Sequence, residues 1–260
     1  MTGVPYATAL AGDVPYVVER RVLAGVPCLV ERPLGEASAL VVVYHGVTAS
    51  KEGNLGVFTS LVGSGVAVVL PDSAGHGERR EPHLSAEVLG YRNFLRVCAA
   101  RTALEAPGVI EAAREAFGLV PTGVIGISMG GYTAHVLAQR ERRVEAVAVI
   151  SSGGVWDEPE VTVPFARHFI ETHRPVEHAR LAPPASVLLL HGDRDPVFPL
   201  TDFDATLAAY RAAYDEAGSP EKLEARVFEG VEHYTSPGMR DAAVSFMRRA
   251  LLGEDPEVAA

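Results

Sequence analysis

Three features of the sequence predict an α/β fold with a mostly parallel, eight-stranded sheet and helices on both of its faces. First, short β-branched and aliphatic runs alternate with stretches whose apolar residues recur at helical spacing. Second, runs such as residues 40–44 are apolar at every position, which is typical of strands buried on both faces. Third, 48% of the 260 residues are hydrophobic, enough to fill one large core. Since repeats and low-complexity linkers are lacking, we expect a single domain over residues 1–260.

The predicted strands are short runs bounded by turn residues. In chain order they lie at residues 16–23, 26–32, 40–44, 66–70, 123–127, 144–150, 187–190 and 223–228. An Ala24-Gly25 turn joins the first two, and Pro27 is tolerated only near a strand start or a sheet edge. We therefore expect the first two strands to form an antiparallel hairpin at the edge of the sheet.

Segments with helical periodicity separate most of these strands. They cover residues 54–63, 85–106, 132–140, 202–217 and 236–252. Pro107-Gly108 is expected to kink or end the second of these helices before another helical piece that reaches Phe117. The alternation of strands and helices predicts parallel pairing of the central strands.

Residues 153–184 are longer than a simple connection between two strands requires. They contain Trp156 and a helical patch at residues 165–172. We expect a small cap over the carboxyl ends of the strands, and an ordinary helix-and-loop crossover is the alternative.

The charge balance argues against a nucleic-acid partner. The net charge is −10, and only Lys51 and Lys222 are lysines among the 23 basic residues. No basic stripe is available for phosphate contacts. Cys28 and Cys98 lie far apart in apolar surroundings, which favours two buried thiols in a reducing compartment over a disulfide.

Two segments bear on location. Residues 1–12 lack the basic start and the continuous apolar run of a secretory signal, so we expect a cytoplasmic protein. Residues 116–139 contain no Asp, Glu, Lys or Arg, but Pro121, Gly123, Gly126, Gly130 and Gly131 divide them into strand, turn and helix. We therefore expect no membrane association.

The central motif is a serine with one glycine two residues before it and another two residues after it. Gly126-Ile127-Ser128-Met129-Gly130 follows a β-branched run and precedes a helical segment. This context indicates a nucleophile elbow, in which the turn is too tight for side chains at the glycine positions. The alternative is a serine in an ordinary turn.

Two later loops contain the residues that would activate this serine. Asp195 and His233 each follow a predicted strand, so all three side chains are expected at the same edge of a parallel sheet. A serine hydroxyl needs an imidazole to accept its proton, and the imidazole needs a carboxylate to orient it. The sequence therefore predicts a catalytic triad of Ser128, Asp195 and His233, with Asp193 as the competing acid.

Backbone N–H groups are expected to stabilise the oxyanion that forms when the serine attacks a carbonyl. Met129 N–H lies at the start of the helix after Ser128, and Val47 N–H follows the strand at residues 40–44. We predict these two groups as the oxyanion hole.

The remaining histidines are expected to be structural. His45 would orient the loop at Val47, His191 would end a buried strand, and His76 would fasten loop backbone. The set His168, His173 and His178 is spaced by five residues, which places it on no common helical face. We therefore expect no zinc site at these histidines.

Several motifs together resemble one family. They are residues 44–52 (YHGVTASKE), 70–72 (LPD), 75–77 (GHG), 126–131 (GISMGG), 191–195 (HGDRD) with Pro199, and 232–233 (EH). The chain is similar to small bacterial serine esterases of the α/β-hydrolase fold, related to dienelactone hydrolases and to the catalytic domain of prolyl oligopeptidases. The resemblance implies Asp195 as the acid and His233 as the base. Dienelactone hydrolases use a cysteine nucleophile, so Ser128 argues against that activity.

The predicted function is that of a serine carboxylesterase acting on a small-molecule ester through an acyl-enzyme, without a cofactor. A short cap and few aromatic residues favour short acyl chains, and Trp156, Phe165 and Phe169 either line an acyl pocket or form the core of the cap. Peptidase, thioesterase and perhydrolase activities use the same machinery. A catalytically silent fold that binds ligands is a further alternative, although all three triad positions are filled. The sequence does not indicate an oligomeric state.

Overall fold

The computed structural model describes residues 4–254, with side chains from residue 8 onward. The ends of the predicted domain, residues 1–3 and 255–260, lie outside this range, as does part of the segment 1–12 used to predict location. Within the described residues, nine strands form one sheet. They are β1 (Val4–Ala11), β2 (Val14–Leu23), β3 (Val26–Pro33), β4 (Ala39–Tyr44), β5 (Val66–Pro71), β6 (Thr122–Ile127), β7 (Ala146–Ile150), β8 (Ser186–Gly192) and β9 (Leu223–Phe228).

The sheet is mostly parallel, as predicted. Its order is β1-β2-β3-β5-β4-β6-β7-β8-β9, and the strands from β5 through β9 in this order pair in parallel. The first three strands in this order join β5 in antiparallel pairs.

β1 was not predicted, so the sheet has nine strands instead of the predicted eight, and the predicted hairpin does not lie at the sheet edge. β1 pairs with β2, so β2 is an inner strand of the sheet. A register shift between Pro5 and Ala7 breaks the alternation that identifies strands in a sequence. Pro27 is the second residue of β3, close to a strand start as expected.

Eight α-helices occur among the described residues. They are α1 (Thr59–Gly63), α2 (Ala86–Leu89), α3 (Tyr91–Phe117), α4 (Met129–Arg140), α5 (Pro164–His173), α6 (Pro175–His178), α7 (Leu200–Glu216) and α8 (Pro237–Leu252). Short 3-10 helices lie at Lys51–Asn54, Gly77–Arg79, Ala179–Leu181 and Pro220–Lys222.

The predicted helix at residues 85–106 is interrupted near its start instead of ending at Pro107. Gly90, with φ of 77°, separates α2 from α3. Pro107 lies inside α3, which continues to Phe117. Val109 and Ile110, just beyond the proline, are buried in the core. Packing on the sheet therefore offsets the loss of one backbone hydrogen bond at Pro107.

Alternate residues of the central strands enter two cores. In β4, Leu40, Val42 and Tyr44 face one core, to which α3, α4 and α7 contribute. Val41 and Val43 face the other core, which is covered by α1 and α8. Helices therefore cover both faces of the sheet, and the carboxyl ends of the parallel strands remain available for side chains from their loops.

The segment at residues 153–184 contains α5 and α6 and packs against α3. The guanidinium of Arg96 is buried between the rings of Tyr132 and Trp156, 3.7 and 4.8 Å from their centroids, and forms an ion pair with Glu158. Asn93 Oδ1 accepts the N–H groups of residues 162 and 163. The segment is thus fastened to α3, and its role as a cap stays a prediction.

Glu31 is a buried carboxyl group with an incomplete set of hydrogen bonds. Its Oε1 accepts from Tyr16 Oη at 3.0 Å and from Gly56 N–H at 3.1 Å, whereas Oε2 has no partner among the described residues. Burial, which outweighs these two hydrogen bonds, raises the pKa of Glu31 above its ordinary value. Folding therefore favours the protonated form of Glu31.

We expect Glu31→Gln to flatten the decline of stability with rising pH. A raised pKa in the folded state contributes stability below the unfolded-state pKa of about 4.3, and this contribution is lost as pH rises through the folded-state value. Urea unfolding of both proteins between about pH 4.5 and pH 8 measures the difference. Glu36→Gln, at an exposed residue, is the control and should keep the wild-type slope. Parallel stability curves for wild type and Glu31→Gln would contradict the expectation.

Cys28 and Cys98 are both free and buried, as predicted. Burial raises the pKa of each thiol to about 12. Among residues 4–254, no helix combines the length and the apolar character that crossing a bilayer requires.

Candidate active site

Ser128 occupies a sharp turn between β6 and α4. Its φ of 52° and ψ of −113° lie outside the regions that serine normally adopts, which is typical of a nucleophile elbow. A Cβ at Gly126 would lie 2.4 Å from the Gly130 carbonyl oxygen, and one at Gly130 would lie 2.1 Å from that of Tyr44. The glycines are therefore required by close approach of backbone.

The structure brings the three predicted triad side chains together. Ser128 Oγ lies 2.9 Å from His233 Nε2, and His233 Nδ1 lies 2.8 Å from Asp195 Oδ2. These side chains come from the loops after β6, β8 and β9. The Asp195 carboxylate is fully buried, whereas the imidazole of His233 is 24% exposed and accessible from the cleft.

The two candidate acids have different partners. Asp195 Oδ1 accepts the N–H groups of Val197 and Phe198 at 2.8 and 2.9 Å, which orients the carboxylate toward His233. Asp193 Oδ1 instead accepts Gly230 N–H at 2.7 Å. Of the two, it is Asp195 that hydrogen-bonds to His233.

The two predicted oxyanion donors are next to residues in or against the turn: Met129 directly follows Ser128, and Val47 follows Gly46. Met129 is the first residue of α4, where helix geometry leaves the N–H without an intrahelical acceptor. Val47 N–H meets no acceptor within residues 4–254. Gly46, which precedes Val47, is so close that a Cβ added there would lie 3.4 Å from Ser128 Cβ.

His45 links the loop at Val47 to a neighbouring loop. Its Nε2 accepts Ser73 N–H at 3.0 Å, so the ring proton is on Nδ1, which donates to Gly46 O at 2.8 Å. Burial lowers the pKa of His45 to about 4, which keeps the ring neutral. The prediction that His45 orients this loop agrees with both contacts.

Other histidines also bind backbone. His191 is fully buried in β8 and its Nε2 donates to Phe198 O, and His76 Nδ1 donates to Ala74 O. Burial lowers the pKa of both imidazoles. In the part of the chain that the structure describes, no group of three His, Cys, Asp or Glu side chains is arranged to hold a metal ion.

A cleft of about 560 Å³ opens above Ser128 and His233. Its rim and walls include Tyr91, Arg92, Tyr132, Val197, Phe198 and Tyr234. No Asp or Glu of the described chain lines it, and none of the lining residues comes from the segment 153–184. Trp156 and Phe169 are buried and stack on each other at 6.1 Å, and Phe165 is exposed.

Several residues at this site were not predicted from the sequence. Ser151 lines the cleft with φ of 49°, and its buried Oγ has no partner among the described residues. Tyr132 also lines the cleft. Lys51 and Asp72 form a buried ion pair at 2.7 Å beside the Val47 loop. The available signals were that Lys51 is one of two lysines in the chain, and that Lys51 and Asp72 lie in two of the motifs that carry the family resemblance.

Comparisons with known proteins agree with this architecture. The family model described as "alpha/beta hydrolase fold" matches residues 39–173, just over half of the chain. The esterase YjfP of Escherichia coli (strain K12) is 26% identical over 258 residues, an alignment that covers 90% of this chain and 99% of that protein. The putative esterase YitV of Bacillus subtilis (strain 168) is 34% identical over 122 residues, which span 45% of this chain and 46% of YitV.

A solved structure resembles the whole fold. The crystal structure of TT1662 from Thermus thermophilus has a TM-score of 0.79 and 28% identity, and the match covers 91% of this chain and 98% of TT1662. The predicted resemblance to the α/β-hydrolase fold is confirmed, and a hydrolase of esterase type agrees with both curated relatives. The chain therefore belongs to the alpha/beta hydrolase fold family, among relatives that are esterases.

Proposed function

We propose that this protein is a serine carboxylesterase with Ser128 as nucleophile, His233 as general base and acid, and Asp195 as the carboxylate that orients the imidazole. The observation that carries the proposal is the unbroken chain of hydrogen bonds from Ser128 Oγ through His233 to Asp195, at 2.9 and 2.8 Å. The esterase relatives support an ester as the substrate.

The chemistry follows from these positions. As Ser128 Oγ attacks the ester carbonyl, His233 Nε2 takes its proton, and Asp195 stabilises the resulting imidazolium. Val47 N–H and Met129 N–H donate to the oxyanion of the tetrahedral intermediate. His233 then protonates the leaving alcohol, which departs and leaves the acyl group on Ser128. A water molecule repeats the sequence and releases the acid.

A fluorophosphonate probe tests the assignment of the nucleophile, because it reacts covalently with activated serines. Wild type should be labelled at one peptide that contains Ser128, and Ser128→Ala should not be labelled. Ser152→Ala is the matched control, since Ser152 is buried two residues after β7 and makes no hydrogen bond to His233. Equal labelling of wild type and Ser128→Ala would rule out the proposal.

We expect short acyl chains to be preferred. The cleft of about 560 Å³ is bounded on its inner side by the buried residues Leu95, Tyr132 and Phe198, which leave little depth for a long alkyl chain. The value of kcat/KM should be highest for acetate and butyrate esters of p-nitrophenol and should fall for octanoate and laurate. A maximum at octanoate or beyond would refute this preference.

A further inference from the structure

The loop that carries Val47 is held at both of its ends by two consecutive residues of another loop. At the beginning of the loop, His45 Nε2 accepts Ser73 N–H at 3.0 Å. At its end, Lys51 N–H donates to Asp72 Oδ1 at 2.9 Å. Asp72 and Ser73 directly follow β5, which is the neighbour of β4 in the sheet. Both ends of the Val47 loop are therefore hydrogen-bonded to the same pair of adjacent residues, Asp72 and Ser73, at the edge of the sheet.

The Asp72 carboxylate, which accepts the hydrogen bond at the end of the Val47 loop, is buried and fully hydrogen-bonded. Besides Lys51 N–H, it accepts Lys51 Nζ at 2.7 Å and Glu78 N–H at 2.9 Å, and Asp72 is 0% exposed. A Cβ at Gly77 would lie 2.0 Å from Asp72 Oδ1, so the backbone closes directly around the carboxylate. Asp72 has no room to take another orientation.

Lys51 carries a positive charge in this buried position. Burial by itself lowers its pKa, but hydrogen bonds to Asp72, Glu78 and Glu52 outweigh burial and raise the pKa above its ordinary value. A buried ion pair is a weak source of stability, because desolvation of the two charges offsets most of their attraction. The Lys51–Asp72 pair is therefore better explained by its effect on the position of the Val47 loop than by a contribution to stability.

We propose that Asp72 and Lys51 are positioning residues for oxyanion stabilisation. They hold residues 45–51 so that Val47 N–H is directed at the oxygen that gains charge when Ser128 attacks the ester. The inference rests on the proposed function of Ser128 and Val47. Because Gly46 lies against Ser128, a loop shift of about 1 Å would move the Val47 donor out of hydrogen-bond range in the transition state.

Asp72→Asn tests this role, together with the charge-neutral pair Lys51→Met/Asp72→Asn, which leaves no unpaired buried charge. All proteins are assayed at one temperature, at least about 10 °C below the lowest Tm among them. Relative to wild type, kcat should fall about 10- to 100-fold, whereas KM should stay within about twofold. The inhibition constant of a trifluoromethyl ketone should rise by the same factor as kcat falls, because the oxyanion of its adduct occupies the same site.

Glu19→Gln is the matched control. Glu19 is a buried carboxylate on β2 that pairs with Arg21 and Arg32 and lies outside the cleft. This variant should have a lower Tm with unchanged kcat and ketone affinity. If both Asp72 variants kept the wild-type kcat and ketone affinity while Ser128→Ala lost both, the positioning role alone would be overturned. If Ser128→Ala still bound the ketone as wild type does, the proposed function would fail and the positioning role with it.

Discussion

Replacing His233 by alanine is expected to lower kcat for ester hydrolysis about 10⁶-fold. His233 Nε2 lies 2.9 Å from Ser128 Oγ, and no other side chain within residues 4–254 hydrogen-bonds to that oxygen. Without the imidazole, the hydroxyl keeps its proton at neutral pH and the leaving alcohol has no proton donor. Initial rates with p-nitrophenyl butyrate, corrected for spontaneous hydrolysis, measure the loss.

The appropriate control for this substitution is His168→Ala, at an exposed position on α5. We expect this variant to keep the wild-type kcat. Circular dichroism and Tm should show that His233→Ala is folded, since the imidazole is partly exposed and contributes little to the core. A His233→Ala variant that kept more than about 1% of wild-type kcat would exclude His233 as the base.

Asp195→Asn is expected to lower kcat about 10⁴-fold with little change in fold. The amide oxygen of asparagine can still accept the N–H groups of Val197 and Phe198, which bind Asp195 Oδ1 at 2.8 and 2.9 Å. The amide nitrogen would then face His233 Nδ1 and stabilise the tautomer that carries its proton on Nε2. That tautomer cannot accept the Ser128 proton.

Asp193→Asn is the control for this change, because it is the other acidic side chain of the same loop. Its amide oxygen can still accept Gly230 N–H, so kcat should stay within about threefold of wild type. Steady-state kinetics of the two variants side by side discriminate between the candidate acids. A larger loss in Asp193→Asn than in Asp195→Asn would reverse the assignment.

The positions of Ser128, Asp195 and His233 could be predicted because each follows a recognisable strand. The carboxyl ends of parallel strands meet at one edge of a sheet, so residues 105 positions apart (Ser128 and His233) and 38 positions apart (Asp195 and His233) come within hydrogen-bond distance. Their order along the chain then distinguishes this arrangement from other triads. What these residues do in catalysis stays a prediction, tested by the variants above.

The contact between Lys51 and Asp72 could not be predicted in the same way. These residues lie 21 positions apart in two loops, and no periodicity or spacing rule relates them. Their pairing depends on β4 and β5 being neighbours and on the close approach at Gly77, both of which are tertiary properties. Such contacts become visible only when the loops are placed in space.

Two errors in secondary structure have local causes. β1 was missed because the register shift between Pro5 and Ala7 interrupts its alternation. Of the kink or end expected at Pro107, the helix end is wrong, because the flanking turns of α3 are buried against the sheet and tertiary packing overrides helix propensity. The packing of Trp156 on Tyr132 also could not be predicted, because the residues around Trp156 in the sequence do not show where the chain places its ring.

The loops after β8 and β9 are bound to each other as well as to the sheet. Asp193 N–H donates to Phe228 O, Arg194 N–H donates to Val231 O, and Gly230 N–H donates to Asp193 Oδ1. β9 is the outermost strand at its end of the sheet and is only partly buried, so we expect it to fray more readily than the fully buried central strands. Because these three hydrogen bonds join the two loops, we expect a displacement of that strand to move Asp195 and His233 together and to preserve the hydrogen bond between them.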